Sequence, residues 1–182
     1  ADQARAVDHV LAARDYALIL GMPGTGKTTT IARLVQVLKR SGKSVLLASF
    51  TNAAVDNVLL KLKAHGEDFL RVGGVDSVHQ DIVEYTVEGC MFGHTPASLS
   101  ELYGSAMVVA TTCLGTKHEL FRKRRFDYCI VDEASQISQS MCLGPLCCAD
   151  VFVLVGDHYQ LPPLVRSCLL YTSDAADEAI GV

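Results

Sequence analysis

The residues best suited to chemistry in this 182-residue chain lie in three short stretches. The first reads Gly21-Met22-Pro23-Gly24-Thr25-Gly26-Lys27-Thr28, the pattern G-x-x-x-x-G-K-S/T, with Thr29 directly after it. An apolar run at 17–20 precedes it and an amphipathic segment follows, which is the strand–turn–helix context that a phosphate cradle requires. Gly21, Gly24 and Gly26 let the backbone curl so that N–H groups around Pro23 and Thr25 face phosphate oxygens, and the helix start adds a favourable dipole. Lys27 is then expected to reach the β- and γ-phosphates as a point charge. The Thr28 hydroxyl is expected to take one position on a magnesium ion. The second stretch, FDYCIVDEAS at 126–135, is an apolar strand ending in two carboxylates. Asp132 suits holding magnesium through water, and Glu133 suits orienting and deprotonating an attacking water, a division of labour that fits hydrolysis. The third, VGDHYQLPPLV at 155–165, offers Gln160, an amide placed to touch the γ-phosphate or the attacking water.

These groups need a scaffold, and the hydrophobic pattern describes one. Apolar runs of strand length near 16–20, 44–49, 69–72, 106–111, 127–131 and 151–155 alternate with amphipathic segments. Helices are expected over 3–13, 27–40, 52–64 and 99–103, with Ser41-Gly42 and His65-Gly66 as stops. That alternation predicts an α/β domain, a mostly parallel sheet with helices on both faces. Residues 73–96, with Gly89, Gly93 and Pro96, read as a surface connection.

Composition sets the outer bounds. At 49% hydrophobic and 20% charged, the chain suits one α/β domain with a substantial core. No apolar run reaches the roughly 20 residues of a membrane span, and no membrane partner is expected. The seven cysteines are odd in number and lack zinc-site spacing, so they read as reduced thiols inside a cell, with Cys142, Cys147 and Cys148 as small buried hydrophobes. The string CLLYTSDAADE at 168–178 resembles a translated sequencing-library adapter, which makes 1–167 the domain and 168–182 an artefactual tail. Without Asp174, Asp177 and Glu178, 17 acidic residues stand against 16 basic ones. Such near-neutrality still allows a polyanion to bind on a local basic face.

GMPGTGKT, SFTNAAVDN, VATTCLG, VDEASQ and GDHYQLPP resemble, in order, the successive motifs of superfamily one helicases. The fuller strings GMPGTGKTTTI, FLRVG, IVDEASQIS, LGPL and FVLVGDHYQLPPLV most resemble the eukaryotic DNA replication ATP-dependent helicase/nuclease family. RNA helicases of nonsense-mediated decay share the motor motifs and stand as the alternative. The resemblance implies the first RecA-like P-loop NTPase domain of a motor that uses ATP and Mg2+ and moves 5′ to 3′ on single-stranded DNA. It also implies a nuclear, and secondarily mitochondrial, role in Okazaki-fragment processing and break repair. A second RecA-like domain would supply arginines to the γ-phosphate, and a nuclease domain with an iron–sulfur cluster would lie upstream. By the same resemblance Gln3 reads adenine, while Ser49, Phe50, Thr51, Asn52, Thr111 and Thr112 hold a strand of nucleic acid. Phe50 has two readings, a base-stacking platform or core. Lys117, His118 and the basic run at 122–125 likewise read as attraction for the backbone or as a solvated face.

Overall fold

In the computed structural model, residues 2–22, 24–90, 96–157, 159 and 163 are described. Pro23, Gln160 and the expected tail at 168–182 lie outside these. The described chain runs α1 (Asp2–Ala12), β1 (Tyr16–Leu20), α2 (Lys27–Arg40), β2 (Val45–Ser49), α3 (Asn52–Ala64), β3 (Leu70–Arg71), α4 (Val87–Cys90), α5 (Pro96–Ser105), β4 (Val108–Thr112), α6 (Glu119–Lys123), β5 (Phe126–Asp132), α7 (Gln139–Leu146) and β6 (Ala149–Gly156). The strands form one six-stranded parallel sheet in the order β1-β6-β5-β2-β4-β3.

Residue alternation in the strands fixes two apolar layers. Val45 and Leu47 of β2 face one side, where Ile31, Leu34, Val35 and Leu38 of α2 and Val55, Val58, Leu59 and Leu62 of α3 cover them. Leu46 and Ala48 face the other, against Leu120 and Phe121 of α6 and Cys142 of α7. Helices therefore lie on both faces, as the pattern predicts. The two long helices end where the sequence signals a stop. Gly42 (φ +72°) donates to the Lys39 carbonyl while Lys43 donates to Leu38, and Gly66 (φ +70°) and Glu67 repeat this on Lys63 and Leu62. Each is a left-handed glycine closing the last turn.

Boundaries differ from the expectations according to pairing. β5 and β6 have strand partners on both sides and run longer than their most apolar cores, whereas β3 has a strand partner on one side, with a single Arg71–Thr86 bridge besides, and shrinks to Leu70–Arg71. The stretch expected to be a surface connection is corrected in part. It holds 3₁₀ turns at Val75–Ser77 and Gln80–Tyr85, buries Ile82 and Thr86 completely, and stacks Tyr85 on Phe69 at 4.3 Å between ring centroids. Such short turns carry no 3.6-residue period, so the pattern hid them. Among the grouped cysteines Cys142 is buried but Cys147 is exposed, which corrects the reading of all three as buried.

At the end of the sheet away from the strand C-termini, Asp127 clamps β2 to β5. Its Oδ2 accepts from the Ser44 N–H at 2.8 Å and the Ser44 hydroxyl at 2.7 Å, and its Oδ1 accepts from Lys43 at 3.0 Å. The Ser44 bonds, with Lys43 beside them, hold the carboxyl down at about 2 from the usual 3.8. A depressed carboxylate contributes stability above its unfolded pKa and loses it as pH falls through the folded one. Asp127→Ala is therefore expected to cost about 1 kcal/mol at neutral pH after screening of this partly exposed group, and the difference should vanish as pH drops from about 4 to about 2. Urea denaturation of both chains across that range measures it.

Candidate nucleotide-binding and hydrolysis site

All six strands are parallel, so their C-terminal ends share one edge, where ligands of open α/β sheets bind. β1 delivers the glycine loop there, β5 delivers Asp132 and Glu133, and β6 delivers Gly156 and Asp157. The register locks these together: β1 and β6 pair Leu20 with Gly156, and the Gly21 N–H donates to the Gly156 carbonyl at 3.1 Å.

Within the loop the glycines are required individually. Gly24 (φ +77°) and Gly26 (φ +86°) occupy the left-handed region that side chains disfavour. A Cβ at Gly26 would also lie 2.8 Å from Gln3 Nε2, and one at Gly21 would lie 2.9 Å from Lys27 Cγ. Gln3 donates to the Thr25 carbonyl at 3.4 Å, and the Thr25 hydroxyl donates to the Met22 carbonyl at 2.7 Å. Gln3, Gly21, Thr25 and Lys27 line a cleft of about 560 Å³ together with Asp2, Ala6 and Met22. Thr28 and Thr29 sit half-buried in the first turn of α2, and the Thr29 hydroxyl accepts from Lys61 at 2.7 Å.

The Lys27 ammonium is buried and makes no hydrogen bond among the described residues. Its nearest counter-charge is Glu133 Oε1 at 3.6 Å, too long for a hydrogen bond. A buried cation left in this state is unfavourable unless a further acceptor arrives, and phosphate oxygens above the loop are such acceptors. Asp132 is 5% exposed, its Oδ1 accepts from the Glu133 N–H at 2.9 Å, and burial lifts its carboxyl to about 6. A cation beside it would restore the ionised form. Glu133 is the one non-glycine residue with positive φ (+53°) among the described residues. Strain of that kind persists where surrounding structure imposes it, and here it turns the Glu133 carboxylate toward Lys27.

Several expected residues come together and others do not. Lys27, Thr28, Asp132, Glu133, Gln3 and the glycines converge on this edge. Pro23 and Gln160 lie outside the described residues. Thr51 caps α3, accepting from the Ala54 N–H at 3.2 Å, and Thr112 accepts from the Gly115 N–H at 3.2 Å. Ser49 and Thr111 are fully buried, donating to the carbonyls of Asp132 at 3.0 Å and Val72 at 2.9 Å. Their hydroxyls thus bond carbonyls of the sheet itself. Phe50 is 44% exposed and its core reading falls away. The basic run divides: Arg122 and Lys123 face solvent, whereas Arg124 lies 4.7 Å over the Phe126 ring and bonds the Tyr103 carbonyl. Arg125 holds the carbonyls of Cys147 and Ala149 at 3.1 and 2.8 Å.

Two further groups at this edge and behind it carry little signal in the sequence. Ser135 accepts from the Asp157 N–H at 3.3 Å and packs against Gly156, joining the second and third motifs; its place inside VDEAS was the available signal. Arg71 lies inside FLRVG, and nothing in that string foretells its burial.

A glycine cradle closing on a buried lysine, opposite an aspartate–glutamate strand end, defines a P-loop nucleotide-binding domain of RecA-like form. The chain belongs to the AAA domain family, which matches residues 1–98 and 94–168. It is 58% identical over 168 residues to the DNA replication ATP-dependent helicase/nuclease of Xenopus laevis, covering 91% of this chain and 16% of that protein. The proteins of the same description from Homo sapiens (54%, 90% of this chain, 16% of theirs) and Saccharomyces cerevisiae (49%, 91% and 11%) are similar too. The chain thus spans about a sixth or less of the length of these relatives. Among solved structures, a nuclease-deletion mutant of the Type ISP restriction-modification enzyme LlaGI has a TM-score of 0.64 at 16% identity, over 92% of this chain and 18% of that one. The UvsW helicase from Bacteriophage T4 has 0.55 at 19%, over 85% and 51%. These two share the fold.

Proposed function

We propose that this chain is the ATP-binding half of a DNA helicase motor, in which ATP hydrolysis drives 5′ to 3′ movement along single-stranded DNA in the nucleus. The observation that carries the reading is the buried Lys27 ammonium, which has only a distant carboxylate for company. The 49–58% likeness to helicase/nucleases supports DNA as the substrate, and nothing in these likenesses favours the RNA-helicase alternative.

Lys27 and the loop N–H groups bind the β- and γ-phosphates, and Gln3 borders the adenine end of the cleft. Thr28 and Asp132 are the residues that would hold magnesium, which when bound neutralises charge on the phosphate oxygens. Glu133 accepts a proton from the attacking water, and its strained backbone keeps the carboxylate aimed at the phosphate side. Ser135, bonded to Asp157, ties that strand end to β6 and so to the segment that carries Gln160.

The test uses a polypeptide continued through the second RecA-like domain of the helicase/nuclease relatives, presented with duplexes bearing single 5′ or 3′ tails of DNA or RNA. Magnesium- and ATP-dependent unwinding of the 5′-tailed DNA duplex is expected. Unwinding restricted to 3′ tails or to RNA, or none at all, would overturn the reading.

A further inference from the structure

Arg71 in β3 is fully buried, and a guanidinium that cannot shed its charge has to be met by acceptors. Nε donates to Asp56 Oδ1 at 2.9 Å, Nη1 to the Val72 carbonyl at 2.6 Å and Nη2 to Asn52 Oδ1 at 2.7 Å. The other oxygen of Asp56 accepts from the His79 N–H at 2.8 Å. Asp56 already balances the charge, so the bond to Asn52 does something else.

A guanidinium carries donors only, and the carboxamide facing it has to present its oxygen. Which way round an Asn amide sits is ordinarily ambiguous, but here the partner's chemistry decides it. Both Nδ2 hydrogens then point away from Arg71, on a half-buried residue beside the exposed Phe50 and Thr51. Among the described residues Nδ2 donates to no partner. The same guanidinium abuts Gly73, where a Cβ would lie 3.0 Å from Nη1, and Gly73 lines a groove of about 290 Å³ with Gly74, Glu88, Gly115 and His118.

We infer that Arg71 is a positioning residue for single-stranded nucleic acid: it locks the Asn52 amide with its two donors outward, toward a backbone phosphate, without touching the strand itself. The inference rests on the helicase-motor reading and adds to it the group that sets the polarity of one phosphate contact. Phosphate oxygens accept only, so an inverted amide would set carbonyl oxygen against phosphate.

Asn52→Asp separates positioning from a structural role. The aspartate keeps an oxygen toward Arg71 and adds charge to that bond, so the fold melts at or above the temperature of the parent chain, yet both outward donors are gone. Asn57→Asp, at an exposed position further along α3, makes the same charge change as a control. Anisotropy of a fluorescent oligothymidylate is measured with the polypeptide continued through the second RecA-like domain, at low ionic strength and over a salt series. Asn52→Asp is expected to weaken binding about tenfold or more, and Asn57→Asp about twofold. Arg71→Lys retains a charge for Asp56 without the fork that reaches Asn52. It should weaken binding without changing the slope of log K against log salt, because a buried group releases no counterion.

Equal binding by the two aspartate variants, a parallel fall of melting temperature and affinity in Asn52→Asp, or a shallower salt slope in Arg71→Lys would each overturn the inference. A parent chain that binds no oligothymidylate takes the motor reading down with it. A parent that binds, with Asn52→Asp matching Asn57→Asp, leaves that reading standing and removes the inference alone.

Discussion

A polypeptide that continues from this chain into a second RecA-like domain is expected to hydrolyse ATP about 10³ to 10⁵ times faster than the 182-residue chain alone. Phosphoryl transfer passes through a loose transition state whose charge is spread over the γ-oxygens, and catalysis is mostly electrostatic stabilisation and positioning. Among the described residues that line the cleft, Lys27 is the only lysine or arginine. That cation also has a prior attachment to Glu133 at 3.6 Å. An arginine arriving from outside the loop is worth the stated factor in this chemistry, so binding should outlive catalysis in the short chain. ATP turnover of the short and long polypeptides, with and without single-stranded DNA at one fixed salt concentration, measures it. Vigorous DNA-stimulated turnover by the short chain would show that its own residues suffice.

Lys27→Ala and Glu133→Gln are expected to separate binding from hydrolysis. Lys27→Ala removes the one buried ammonium at the loop, with its charge-assisted bonds to two phosphates, and should weaken magnesium-ATP binding by about 10² or more. Glu133→Gln keeps the shape of the side chain but removes its basicity, and hydrolysis in the two-domain polypeptide should fall by about 10² to 10⁴. The same change dissolves the ion pair to Lys27 and frees the ammonium for phosphate, so ATP affinity should hold or rise. Fluorescent-nucleotide titration together with single-turnover hydrolysis reads both quantities. If both variants bound ATP like the parent, the phosphate-loop assignment would be withdrawn.

The nucleotide site was legible because its parts are local. Gly24 and Gly26 are needed for positive φ, Lys27 and Thr28 follow in the first turn of α2, and Asp132 and Glu133 end one strand. Each function follows from residue type at short spacing, which a one-dimensional pattern preserves. The helix stops at Gly42 and Gly66 were legible for the same reason. Contacts to nucleic acid were less so. Ser49, Thr111 and Asn52 belong to the strand-end segments carried over by resemblance, yet two of them point inward and the third is bonded to a distant arginine. Side-chain direction at the end of a strand depends on register with its neighbours, and no property of the residue itself records it.

Sequence by itself determined the α/β class, the phosphate loop, the strand-end carboxylates and the alternating faces that clothe the sheet on both sides, because local propensity and short-range periodicity specify them. Only the tertiary structure decided three things. It placed Lys27 next to Glu133, bringing the residue just after β5 and the start of α2 to one edge. It buried Arg71 against Asp56 and Asn52, and in a supposed surface connection it turned Ile82 into core and packed the half-buried Tyr85 against it. Each of these depends on strand order and register across a parallel sheet, where neighbours in space are separated by whole helices in the chain. Burial and electrostatics at such positions follow from what the crossovers bring near, and residue identity alone does not contain that information.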